Sequence, residues 1–269
     1  MPPVRCLVNG LQRSGTHLLE KTIGALEIPS SGRAIMPELK KEFGQPSEPA
    51  DAIEIGLNRS HMGSRRVVRD WLSALPVGMS ALGHIPWSPA MADLIGAEAI
   101  RMVTILRDPR DVIISYSLHV AANTRGTYRD RYLALSEPER LLRWVCAAAG
   151  REGQAPRRSI HERLSLILAW RTEPFNRVVR FERLVGAEGG GSDADRREEI
   201  RAIAAHLAIP CSESHVEAIS RSLFGGTSTF RHGQIGSWKQ GFTPEVTRAF
   251  KAVAGDLLVE LGYERDHSW

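Results

Sequence analysis

Short apolar runs, too brief for helices, alternate along the chain with longer stretches in which apolar positions return at helical spacing. Val4-Arg5-Cys6-Leu7-Val8-Asn9 and Ile100-Arg101-Met102-Val103-Thr104-Ile105-Leu106 read as buried strands, and residues 79–85 and 177–181 read the same way. Helical spacing marks residues 67–75, 160–170, 193–207 and 213–223, and residues 244–261 form a final amphipathic helix. Ser88 before Pro89 predicts a serine N-cap and a proline in the first turn of a helix over 88–96. Asp108-Pro109 predicts the same start for a helix running to Leu118. Strands alternating with helices predict an α/β fold, a three-layer sandwich whose central parallel sheet carries helices on both faces. Ligands of such sheets sit at the carboxyl ends of the strands.

The pattern breaks in a few places. Residues 29–66 are rich in Pro, Gly and charge with no sustained period, and read as loops and short elements beside a substrate opening. Residues 121–162 turn charged and read as a helical insertion with a mobile loop around 150–156. Residues 186–192 read as a flexible break, and 227–243 as an ordered loop punctuated by glycine. The 269 residues read as a single domain, 1–269.

Composition narrows the chemistry. With 42% hydrophobic residues the chain can bury a substantial core. Lys plus Arg is 35 against Asp plus Glu 31, a net +4 that suits an anionic small molecule. Aromatics at 6% do not favour a stacking surface for single strands, so no nucleic-acid partner is expected. No run reaches the length of a membrane-spanning helix and the opening Met1-Pro2-Pro3-Val4-Arg5 lacks the apolar core of a signal peptide, so the expectation is a cytoplasmic protein. Cys6, Cys146 and Cys211 are odd in number and widely spaced, and read as core or incidental thiols with no disulfide or metal spacing.

Gly10-Leu11-Gln12-Arg13-Ser14-Gly15-Thr16-His17 lies between the first strand and the first helix. Such a junction aims backbone N–H groups and a helix N-terminus at one spot, which suits a phosphate-type anion. Nucleoside triphosphatases with this glycine spacing place Lys and then Ser or Thr after the second glycine. Here those positions are Thr16 and His17, and the loop's cation is Arg13, so the site suits a nucleotide anion without the usual magnesium apparatus. On this motif alone a plain strand-to-helix connection remains open. Arg107 at a strand end and Ser115 in the following helix suit a second phosphate. The alternative pairs Arg107 with Asp108 or Asp111 and makes Ser115 an ordinary helix residue. A third segment, residues 230–243, combines Phe230, Arg231, His232, Gly233, Trp238 and Lys239 in a loop before the final helix.

In this order and separation the three motifs resemble the sulfotransferases that use 3′-phosphoadenosine 5′-phosphosulfate (PAPS). The resemblance spans nearly the whole chain and is strongest at 5–20, 80–90, 101–119, 177–185 and 230–263. It is weak at 29–66 and 121–160, where acceptor selection is expected. It implies a fold like that of the P-loop nucleoside triphosphatases. It also implies that Arg13, Ser14, Gly15, Thr16 and His17 hold the 5′-phosphosulfate, while Arg107 and Ser115 bind the 3′-phosphate together with Arg231, His232 and Gly233. Phe181 takes the position of an aromatic near adenine, and is equally readable as a core residue. Gly83-His84-Ile85-Pro86 resembles the family's Thr-His-Leu-Pro segment, which makes His84 the catalytic base; His61 and His119 are reserves, and a hydrogen-bonded strand-end histidine is the alternative.

The implied reaction is an in-line displacement that needs no metal. His84 takes the proton of an acceptor hydroxyl on a small molecule, glycolipid or saccharide, Arg13 and the loop N–H groups stabilise charge, and adenosine 3′,5′-bisphosphate (PAP) leaves. Two departures stand out: Arg13 replaces the Lys of many cytosolic members, and Leu18 replaces their adenine-stacking Trp, a role open to Trp238 or Phe230. A small-molecule kinase of the P-loop type and a non-catalytic nucleotide-binding module are the competing readings. Nothing in the sequence sets the oligomeric state.

Overall fold

The computed structural model describes residues 4–35, 42–150, 155–223 and 233–269. Phe230, Arg231 and His232 lie outside the described residues. The strands, in chain order, are β1 (Cys6–Gly10), β2 (Ser30–Ile35), β3 (Ala52–Glu54), β4 (Met62–Ser64), β5 (Ser80–Gly83), β6 (Arg101–Leu106) and β7 (Asn176–Arg180). Five of them form one sheet in the order β2-β5-β1-β6-β7, with every pairing parallel. β3 and β4 form a separate antiparallel pair.

β1 occupies the centre, with Cys6 opposite Ser80 on one side and Arg101 on the other. Its side chains alternate between two cores, as the two-residue period of a strand requires. Cys6 and Val8 join Val103 and Ile105 of β6 on one face, where they meet Leu19 and Ile23 of α1 (Thr16–Ala25). Leu7 joins Ala81 and Met102 on the opposite face. That face is covered by Val68, Trp71 and Leu72 of α2 (Arg65–Ser73) and by Met91, Leu94 and Ile95 of α3 (Pro89–Ala97). Each such aliphatic side chain contributes about 1.5–3 kcal/mol when fully buried. Burial pushes the Cys6 thiol up to about 12, so it is an inert core group.

The helices continue with α4 (Pro109–Asn123), α5 (Gly126–Leu133), α6 (Glu137–Val145) and α7 (Ile160–Leu168). After β7 come the single turn α8 (Phe181–Leu184), then α9 (Asp193–His206), α10 (Glu213–Ser222), the short α11 (Trp238–Gly241) and α12 (Pro244–Glu260). Ile200 and Ile203 of α9 complete the core on the α1 face. The structure divides into two compact units: Met1–Arg107 with Leu166–Ile235, and Asp108–Ser165 with Gly236–Trp269. The first holds the sheet. In the second, Arg110 lies against the rings of Trp238 and Trp269, 3.8 and 4.5 Å from their centroids, and pairs with Asp108 at 2.7 Å.

Some elements differ from the expectation. Residues 29–66 yield β2 at the edge of the main sheet, a strand hidden by the polar run Ser30-Ser31-Gly32-Arg33 because an edge strand need not be apolar. The strand expected over 79–85 stops at Gly83, so His84 and Ile85 leave the ladder. The helix expected to end at Leu118 continues to Asn123. The segment 186–192 is a hydrogen-bonded turn and not a loose break: Gly189 and Gly191 both donate to the carbonyl of Gly186, at 3.1 and 2.8 Å. Gly186 has φ 75°, and the guanidinium of Arg196 fills the place of a side chain there. No helix among the described residues is long and apolar enough to cross a membrane.

Candidate active site

The carboxyl end of β1 runs directly into the glycine loop. A Cβ on Gly10 would sit 2.7 Å from both the Ile105 carbonyl and Ser14 Oγ, so the close approach of β6 requires glycine. Gly15 has φ 107°, and a Cβ there would lie 2.6 Å from Phe181 Cδ2. Arg13 adopts the left-handed conformation at φ 72°, an uncommon one for a side-chain-bearing residue. Ser14 is 1% exposed and braces the loop from inside: its N–H donates to Leu11 O at 3.1 Å, and its hydroxyl faces Leu11 O at 2.8 Å and Ile105 O at 3.2 Å.

Like α5, the helix that follows starts without a side-chain cap. Ser64, Ser88, Asp108, Ser136, Ser192, Ser212 and Thr243 each cap their helices with a side-chain oxygen. α1 begins at Gly15 with no side-chain cap and no acidic residue in its first turn. Its leading N–H groups and dipole are therefore offered to an outside anion. Thr16 is buried there, while His17 is half-buried and its Nδ1 lies 3.3 Å from Glu20 Oε2. That hydrogen bond holds the Glu20 carboxyl below the usual carboxylate range. Gln12 adds a feature missed in the sequence: both polar atoms of its amide are shut off from solvent and have no hydrogen-bond partner.

Arg107 leaves the end of β6 and ties three segments together. Its guanidinium donates to Arg13 O at 3.4 Å and Gln234 O at 2.9 Å, and lies 4.2 Å from the ring centroid of Phe181. Gln234 also donates through Nε2 to Glu188 O at 2.8 Å, and Ile235 N donates to Gly189 O at 3.0 Å, which seats the third motif on the glycine turn. His84 is 6% exposed and sits where β5 ends. Its Nδ1 donates to Gly10 O at 2.7 Å, which leaves the lone pair on Nε2. Burial brings its pKa down from 6.5 to about 4, against the opposing pull of the Gly10 carbonyl, and the charge of His17 lowers it further. A neutral imidazole with a fixed acceptor nitrogen thus stands beside the glycine loop.

A model of the sulfotransferase domain matches residues 3–262. The chain belongs to the sulfotransferase family. Its structure is similar to that of mouse sulfotransferase SULT7A1 complexed with PAP, with a TM-score of 0.58 and 16% identity over 97% of this chain and 87% of that one. It is also similar to retinol dehydratase in complex with androsterone and the inactive cofactor PAP, with a TM-score of 0.57 and 19% identity over 96% of this chain and 81% of that one. At these identities the likeness shows the fold. A search of curated protein sequences gives no match.

Within this sulfotransferase the first unit gathers Arg13, Ser14, Gly15, Thr16, His17, His84, Arg107 and Phe181 around the ends of β1, β5, β6 and β7. Phe181 belongs to the core cluster, with its ring against Gly15 and the Arg107 guanidinium. Gly233 is in the left-handed region at φ 56°, while Arg231 and His232 fall outside the described residues. Ser115 lies in the second turn of α4, in the second unit. There Asp108 pairs with Arg110, and Asp111 accepts from Gly236 N and Trp238 N at 2.8 and 2.9 Å. Of the reserve histidines, His61 donates its backbone N–H to Glu54, and His119 Nδ1 accepts from Asn123. Leu18 packs against the core and Trp238 against Arg110.

Proposed function

We propose that this sulfotransferase moves a sulfuryl group from PAPS to a hydroxyl of an acceptor, with His84 as general base. The observation that carries this reading is the hydrogen bond from His84 Nδ1 to Gly10 O, which turns a neutral imidazole toward use as a base at the rim of the phosphate loop. A base that is already neutral needs no proton lost before it accepts one. The donor set also fits a phosphosulfate: an uncapped helix N-terminus, the Arg13 cation and the unpartnered Gln12 amide lie in one loop, and no acid stands in the first turn of α1.

PAPS supplies an activated sulfuryl group whose departure leaves charge on a phosphate. His84 Nε2 takes the acceptor proton as the new oxygen–sulfur bond forms. Arg13 and the N–H groups of the loop hold the charge that gathers on the transferring and leaving oxygens. Arg107 binds the 3′-phosphate, and Phe181 buttresses Arg107 and Gly15. Acceptor selection falls to residues 29–66 and 121–160, where the chain departs most from the family pattern.

Calorimetric titration tests this reading. PAP is expected to bind without magnesium, and Arg107→Ala to weaken it about 10- to 100-fold, the worth of hydrogen bonds to a charged group. His84→Gln is expected to keep PAP binding and to lower PAP release from PAPS by about 100-fold or more. A preference for magnesium-ATP over PAP would overturn the assignment in favour of phosphoryl transfer.

A further inference from the structure

β1 is a run of fully buried residues, and its fourth position is Asn9, 0% exposed between Val8 and Gly10. A carboxamide buried without partners is costly, so at a position with none an apolar residue would serve the sheet better. The ladder pairing β1 with β5 ends at Val8 opposite Leu82. Beyond it the Asn9 side chain takes over: Oδ1 accepts from Ile85 N at 2.8 Å and Nδ2 donates to Ile85 O at 3.3 Å. Trp170 Nε1 donates to the same carbonyl at 2.9 Å. Neighbouring groups complete the arrangement, since His84 N donates to Ile35 O at 3.2 Å and His84 Nδ1 to Gly10 O at 2.7 Å. Two successive residues of β1 therefore grip two successive residues at the exit of β5.

We propose that Asn9 is a positioning residue for sulfuryl transfer, its carboxamide standing in for a peptide group against Ile85 and thereby fixing the direction of the adjoining His84 ring. The inference rests on His84 being the base. Only a carboxamide does this here: Asp lacks the donor and buries a charge, Leu lacks both groups, and Ser has a single oxygen where two atoms are needed. Gly83 supports the same geometry, since a Cβ there would lie 2.7 Å from Ile85 Cδ1. Pro86 disfavours helical backbone at Ile85.

The test uses the full chain with 15N-labelled histidine, the His84 imidazole signals being assigned by their loss in His84→Gln. In the wild type the ring is expected as the single Nδ1–H tautomer, titrating near 4, with His17 of α1 the titratable neighbour whose charge reaches it. Asn9→Leu is expected to mix the tautomers, the ring no longer being held against Gly10 O. Asn9→Asp, which keeps the shape but cannot donate to Ile85 O, is expected to mix them as well. Circular dichroism checks that each variant folds; if Asn9→Leu does not, Asn9→Asp and Asn9→Ser decide. Folded variants with an unchanged His84 ring overturn the inference. A ring fixed as described, combined with undiminished PAP release in His84→Gln, would instead overturn His84 as base and leave the clamp standing.

Discussion

At the level of single residues, Gly15 shows how little freedom the loop has. It starts α1 at φ 107° with the Phe181 ring where a side chain would go, and Phe181 in turn carries Arg107. Gly15→Ala is therefore expected to cost at least about 2 kcal/mol, read from the urea midpoint, and to weaken PAP binding along with stability. His84 makes a second prediction. The unfolded chain binds a proton there below the ordinary 6.5, the folded protein only below about 4, so between those values the unfolded state holds the extra proton. Stability is expected to fall as pH drops through this window, by at most about 1.4 kcal/mol per pH unit, and His84→Gln to flatten that part of the curve. With His84 as the proposed base, the acid limb of kcat/KM is expected near 4 as well, not near 6.5. His84 and Arg13 could be singled out in the sequence as candidates because their motifs are local. Asn9 and Gln12 were not: one looks like the tail of a strand and the other like loop filler until their buried amides are seen in three dimensions.

At the level of elements, helix starts carried the clearest sequence signal. Ser88-Pro89 and Asp108-Pro109 both begin helices as expected, with Ser88 Oγ accepting from Met91 N and the Asp108 side chain from Arg110 N. Ser88→Ala is expected to lower stability by about 1 kcal/mol without changing PAP affinity, as chemical denaturation and calorimetry would show. The missing cap of α1 has the opposite meaning, since its unused donors are what the proposed anion needs. Strand ends were less legible. β5 stops at Gly83 because Asn9 and Gly10, remote in sequence, provide other partners for Ile85 and His84. β2 escaped detection for a similar reason: its edge position rests on pairing with β5 and its residues are largely polar.

For the whole molecule, the proposed PAP binding would be linked to unfolding. PAP at a hundred times its dissociation constant is expected to add about 2.7 kcal/mol to folding stability, raising the melting temperature with or without magnesium. Calorimetric scans showing such a rise only with magnesium-ATP would contradict the proposed chemistry. The alternation of apolar runs with helical spacing was enough to establish a parallel α/β sandwich, because a buried parallel strand is a short apolar run and its crossover helix carries one apolar face. The three anion motifs and their order pointed to the family for the same reason, each being a local stretch with its own chemistry. The order β2-β5-β1-β6-β7, the grip of Arg107 on Arg13 and Gln234, and the hold of β1 on the exit of β5 were decided only by the tertiary structure. Strand order and buried hydrogen-bond partners depend on which distant segments meet, and local composition and periodicity do not record those meetings.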